Sequence, residues 1–175
     1  MFQWRIAILI SLLCLLWSCS SGPQELFVID NEIEFVLPGG LNTVETHVFV
    51  IRDVPTFFDQ SLEAYGIRKE DVAQIGAGRG LLTGSFLNID YDFIGEISIR
   101  ARSQRDRGVT REMFYRENIP FTHDGELELL SSISNLTDIF SDPFVDIEIR
   151  IRLRNIVPTD LQNKLIFSYA VFDSE

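Results

Sequence analysis

Beyond residue 19 the chain contains no cysteine, and beyond residue 17 no tryptophan: Cys14, Cys19, Trp4 and Trp17 account for all of both. The body of the protein therefore has no disulfide framework, no cysteine metal site and no thiolate nucleophile. The lack of tryptophan counts against a carbohydrate-binding surface, where sugars are held on exposed aromatic rings. There are two histidines, His47 and His123, and neither has a partner at metal-ligand spacing such as HExxH. His47 is expected mid-strand with its ring satisfied, and His123 in a polar surface turn. No GxSxG elbow marks a serine nucleophile. The GAGRG run at residues 76–80 lacks the Lys-Ser/Thr of a phosphate loop, and Leu81 stands where GxGxxG requires glycine. It is expected to be a flexible loop or a bulged strand. Asp90 and Asp92, and Asp138, Asp142 and Asp146, lack the oxygen density of a calcium loop and are expected to form a solvated acidic rim. Neither a metal nor a cofactor is expected.

Internal repeats, low-complexity stretches and long linkers are missing as well, so the body is expected to be one domain. The net charge is −11, and Arg5 is the sole charge in the first 18 residues, leaving −12 on the remainder. So acidic a chain is a poor fit to nucleic acid or to an anionic lipid surface.

What is present begins at the N-terminus. Arg5 precedes an uncharged, largely apolar run from Ile6 to Trp17. A membrane-spanning helix needs about 20 such residues, so this run is too short to span. A basic start, a short apolar core and a small-residue exit match a secretory signal. The core leads into Leu16, Trp17, Ser18 and Cys19. This segment resembles the lipobox of bacterial lipoproteins, with Leu at −3, a small residue at −1 and Cys at +1; Trp17 departs from the small or medium residue usual at −2. The resemblance implies cleavage after Ser18 and acylation of Cys19 by diacylglycerol and a further fatty chain such as palmitate. Two or three chains anchor far more firmly than one. Ser20 stands where inner-membrane retention uses Asp, which implies the outer membrane. Residues 1–18 are thus expected to be a signal peptide, 19–25 a lipidated tether and 26–175 the folded domain. A tether this short holds the domain within roughly 20 Å of the bilayer.

Period-two alternation dominates the domain. Residues 26–37 place Phe27, Ile29, Ile33, Phe35 and Leu37 on one parity, as one long strand or as a hairpin turning at Asp30-Asn31. Residues 44–54 are apolar on both parities near Val48 to Ile51, which predicts a central strand. A helix capped by Thr56, with Asp59 as capping-box partner, should end at Gly66. Further strands are expected over residues 80–87, 95–102, 110–118, 126–130, 145–154 and 164–173, with a short helix at 135–140. About eight strands with two short helices in loops predict an antiparallel two-sheet β-sandwich.

Arginine placement is the most unusual feature. Arg100, Arg102, Arg105, Arg107, Arg111 and Arg116 fall close together, and Arg150, Arg152 and Arg154 share one parity of a later strand. If the two strands are neighbours, Arg100, Arg102, Arg150, Arg152 and Arg154 would form a guanidinium stripe able to grip an anionic partner. The bland alternative is cross-strand pairing with Glu96, Glu112 and Glu148. The sequence points to a membrane-anchored, non-enzymatic binding or structural module of the bacterial envelope, whose partner is an envelope protein or anionic polymer. A lipid or apolar-ligand carrier is the first alternative, on the strength of the 14 phenylalanines. An envelope-polymer hydrolase is the second, should carboxylates or histidines converge in a cleft.

Overall fold

The computed structural model describes residues 22–86, 89–121, 125–157 and 159–173. These residues form eight strands: β1 Glu25–Leu37, β2 Thr46–Pro55, β3 Val72–Gly84, β4 Ile94–Ser103, β5 Thr110–Glu117, β6 Glu126–Ser131, β7 Phe144–Leu153 and β8 Leu161–Asp173. They also form two short helices, α1 Phe58–Tyr65 and α2 Thr137–Phe140. The alternation of the chain builds them. In β7, Val145, Ile147, Ile149 and Ile151 are wholly buried, and β1 buries every second residue from Phe27 to Leu37. β1 runs unbroken past Asp30 and Asn31, which pair with Ser168 and Phe167 of β8, so the hairpin is ruled out.

Every strand pairing is antiparallel, and the strand order is β1-β8-β3-β6-β5-β4-β7-β2. The order divides into two four-stranded halves, β1-β8-β3-β6 and β5-β4-β7-β2. The halves are stitched at β5 and β6 by two residue pairs, Phe114 with Ser131 and Tyr115 with Leu130. The other two edges, β1 and β2, approach each other with Phe35 and Phe49 at 6.0 Å between ring centroids. The expected two-sheet sandwich is therefore corrected to one nearly closed, barrel-like sheet. Alternation reveals which side of a strand faces inward; it says nothing about whether the edges of the sheet meet.

Two further corrections concern β2 and α1. β2 ends the sheet order and is not central; its apolar outer residues Val48 and Val50 remain exposed beside the open seam. Thr56 does not cap α1, because its Oγ1 donates instead to the Asp142 carbonyl at 2.5 Å. Phe57 takes the N-cap position at φ 58°, with no side-chain cap. Gly66 does end the helix, at φ 66°, and its N–H donates to the Glu63 and Leu62 carbonyls.

Rings from different strands and helices meet inside the barrel: Phe114 with Phe167 at 6.4 Å, and Phe140 with Tyr169 at 4.6 Å. The two buried tyrosines satisfy their hydroxyls internally. Tyr91 donates to Asn163 Oδ1 at 3.0 Å, and Tyr169 donates to the Thr56 carbonyl. Burial pushes both hydroxyls up, with the Asp59 charge adding to the effect at Tyr169, so both stay protonated as donors.

The GAGRG run lies within β3, at a bulge between Ala77 and Gly80 in its pairing with β8. A Cβ on Gly80 would sit 2.8 Å from the Phe114 ring, and one on Gly78 would sit 2.5 Å from Ser168 Oγ. The glycines admit neighbours at close range; they do not cradle a phosphate. Gly80→Ala is expected to destabilise the barrel by about 1–3 kcal/mol, the usual cost of overpacking a filled core. Urea denaturation measures this directly, and an unchanged midpoint would show that Phe114 has room to move.

Candidate functional site

The predicted arginine stripe falls on the outside of the half made by β5, β4, β7 and β2. β4 and β7 are neighbours, as the arginine stripe requires. Their register, however, sets Ser98 opposite Arg150, Glu96 opposite Arg152, Arg100 opposite Glu148 and Arg102 opposite Asp146. On the other side of β4, Arg100 faces Glu112 of β5. The expected stripe is thus a chequerboard, in which basic residues alternate with acidic ones across the ladder.

Pairing consumes Arg102 and Arg150, while Arg152 is exposed and makes no ion pair among the described residues. Arg150 Nε donates to Glu148 Oε1 at 2.5 Å, and Arg102 Nη2 donates to Asp146 Oδ2 at 3.1 Å. Ser98 Oγ donates to Glu112 Oε1 at 2.7 Å. Arg154 leaves the face altogether. Its guanidinium donates to the Ile94 and Ile119 carbonyls and lies 4.6 Å over the Phe121 ring. It is a structural clamp on the end of the barrel and not part of a binding stripe.

Arg100 Nε is buried without a hydrogen-bond partner, as are Arg102 Nε and Arg116 Nε, and among the described residues Arg100 makes no ion pair; its place in a groove sets it apart from these two. It lines a groove of about 370 Å³ together with Arg150, Glu96, Glu112, Glu117 and Tyr115. Sequence reasoning missed Tyr115 and Glu117. Tyr115 faces Ser98 next to a bulge that falls between Ile99 and Arg100 in the β4–β5 ladder, so parity counted from Arg111 or Glu112 fails to place it. The groove therefore offers one uncommitted guanidinium amid acidic walls, beside a phenol.

The acidic rim is also revised. Asp142 and Asp146 are buried. Asp142 pairs with Arg105 at 2.6 Å, and Asp138 pairs with Arg111 at 2.7 Å. Asp146 also accepts from Gln104 Nε2 at 3.0 Å, and the same Nε2 reaches Asp53 Oδ1 at 2.8 Å. Asp90 accepts from the Asp92 amide and so caps a short turn. His47, expected mid-strand, is the second residue of β2, and its Nε2 donates to the Asn42 carbonyl at 2.7 Å. Among the described residues no group of three or more His, Cys, Asp or Glu is placed to hold a metal ion. Cys19 with the rest of the lipobox, and His123, lie outside the described residues. No helix among the described residues is long and apolar enough to cross a membrane.

No family model and no curated protein matches the chain. Among solved structures it is similar to Desmodium yellow mottle tymovirus, at 10% identity over 88% of this chain and 90% of that one, with a TM-score of 0.28. It is also similar to the dimeric latent PorU from Porphyromonas gingivalis, at 8% identity and a TM-score of 0.25; that match covers 88% of this chain and 14% of PorU. Superpositions this loose carry no argument about function.

Proposed function

We propose that the protein is an exported bacterial lipoprotein, acylated at Cys19 and held at the outer membrane, whose barrel is a non-enzymatic module that binds another envelope protein through the Arg100 groove. The observation that carries the binding site is Arg100 itself, with its buried, unpartnered Nε in a groove of mixed charge. A half-desolvated guanidinium without a partner gains most from a carboxylate supplied by something else. The flanking Glu96, Glu112 and Glu117 would repel a uniform polyanion, and they suit a protein surface that carries both signs. The lipobox supports the anchor, and β1 begins at Glu25, a few residues beyond Cys19, which supports a domain held near the bilayer. A carrier needs an enclosed apolar chamber, whereas here aromatic rings pack across the interior.

Two variants test the two halves of the proposal separately. Intact-mass spectrometry of membrane-extracted protein should show loss of residues 1–18 and gain of lipid, while Cys19→Ala should keep the signal and gain no lipid. An unmodified wild-type mass would sink the anchor. Cross-linking and affinity purification from the native membranes should recover a partner with the wild-type chain, and Arg100→Glu should reduce its recovery at least about tenfold, as reversing a buried interface charge does. Equal recovery would move the interface elsewhere.

A further inference from the structure

The barrel fails to close at the seam between β1 and β2. Among the described residues β1 pairs with β8 alone and β2 with β7 alone, so each strand has an unpaired backbone edge facing the other. A bulge between Ile51 and Val54, with Asp53 at φ 57°, bends β2 in this region. A crevice of about 290 Å³ lies there, lined by Asp30, Asn31, Val54, Pro55, Phe57 and Ile166. Phe57 holds a left-handed φ of 58°, uncommon for so bulky a residue, and places an exposed ring at the crevice.

Asn31 is the telling residue. It interrupts the inward apolar row of β1 and is only 7% exposed, yet its Nδ2 has no hydrogen-bond partner. A buried amide donor left unmade is costly and calls for an acceptor. Around it the outer face of β1 is mainly acidic. Asp30 and Glu34 project from that face, with Arg79 near Asp30 across β8; Glu32 is committed to Lys164 at 2.6 Å, and Asp53 on β2 is held by Gln104. A second copy of this chain is a poor occupant, since antiparallel β1 edges would set these acids against one another.

We propose that the β1–β2 seam is a strand-acceptor site that takes an extended, basic segment of a partner protein, which pairs with the free edge of β1 around residues 30–32 and lays a carbonyl oxygen on Asn31 Nδ2. Backbone pairing provides the affinity, as in other cases of strand addition. The acidic rim selects Lys or Arg, and the crevice beside Phe57 takes one side chain. This inference rests on the seam alone and not on the Arg100 groove.

The test is amide hydrogen exchange of the full-length chain, read on fragments covering residues 25–37. The probe is a synthetic peptide of alternating Lys and Val, with a Glu and Val peptide as control. The Lys–Val peptide should slow exchange in β1, with a salt-sensitive midpoint, and the Glu–Val peptide should not. Asn31→Leu should raise the melting temperature, because it removes an unsatisfied donor, and should weaken the peptide about tenfold. Three results would overturn the proposal: no slowing by the Lys–Val peptide, equal slowing by both peptides, or unchanged peptide binding in Asn31→Leu. Protection that grows with protein concentration in the absence of peptide would also overturn it, in favour of a second copy.

Discussion

Asp146→Ala is expected to destabilise the barrel by about 3 kcal/mol, because it strips the anion from a largely buried ion pair. The Asp146 side chain is 6% exposed, and its partner Arg102 is 23% exposed. The carboxylate accepts from Arg102, from Gln104 and from the Asp53 amide, and so ties β7 to β4, to the β4–β5 turn and to the β2 bulge. Truncation leaves a half-desolvated guanidinium without its counter-ion, which is the costly arrangement. Removing both charges together, as Arg102→Met with Asp146→Leu, should restore most of the loss, since well-packed apolar residues often replace a buried pair at little cost. The four corners of that cycle, measured by urea denaturation, give the coupling. A single-mutant loss below about 1 kcal/mol would show that water compensates the pair and that the network is only decorative. Acid carries the same signature. Burial alone would push the Asp146 carboxyl up, but hydrogen bonds from Gln104 and Arg102, the Asp53 amide and the Arg102 charge together hold it below its ordinary value. A carboxyl depressed in the folded state contributes stability above its unfolded pKa of about 4 and loses it as pH falls through the lower folded value. Wild-type stability should therefore fall below about pH 4 more steeply than that of Asp146→Asn.

The sequence disclosed the strands and left their arrangement hidden. Residues 145–154 alternate so regularly that β7 is legible at sight, and Ile147, Ile149 and Ile151 are buried as their parity demands. Leu136, Ile139 and Phe140, spaced for one helical face, are all buried at α2. Parity fails where long side chains fold over the outer face of a strand. Asp146 and Glu148 lie on the outward parity of β7, yet both are buried, because arginines from the same or a neighbouring strand close over them. Long-range pairing decides the rest. Whether Arg100 meets Glu148 or another arginine depends on the β4–β7 register, and no local pattern sets that register across so long a connection. The same holds for closure. Nothing in the residues of β5 and β6 announces that Phe114 and Tyr115 will join the two halves, or that β1 and β2 will stop short of pairing. Asn31 did leave a trace, as the one polar residue in an apolar row, but a hairpin turn accounts for it equally well until the register is known.

Arg154 gives the sharpest separation between arginines that look alike in the sequence. Arg150, Arg152 and Arg154 share a parity, and a stripe model treats them as equivalent. Arg154 alone spans two carbonyls, with its Nε and Nη2 on Ile94 at 2.9 and 2.6 Å and its Nη2 also on Ile119, beneath Phe121. It holds the start of β4 to the segment that follows β5. Arg154→Ala is expected to cost about 2–4 kcal/mol, from the loss of charge-assisted hydrogen bonds and the stranding of part-buried acceptors. Arg154→Lys should recover little of this, because a point charge cannot fork to two carbonyls and stack on a ring together. Arg150→Ala removes a 42% exposed side chain and re-opens its single carboxylate partner, Glu148, to water, so it should cost less than Arg154→Ala, about 1 kcal/mol. Thermal and urea denaturation of the three variants under one set of conditions measures the ordering. Equal losses at Arg150 and Arg154 would mean that the clamp is not closed in solution; full recovery by Lys would mean that charge, and not the forked geometry, holds this end of the barrel.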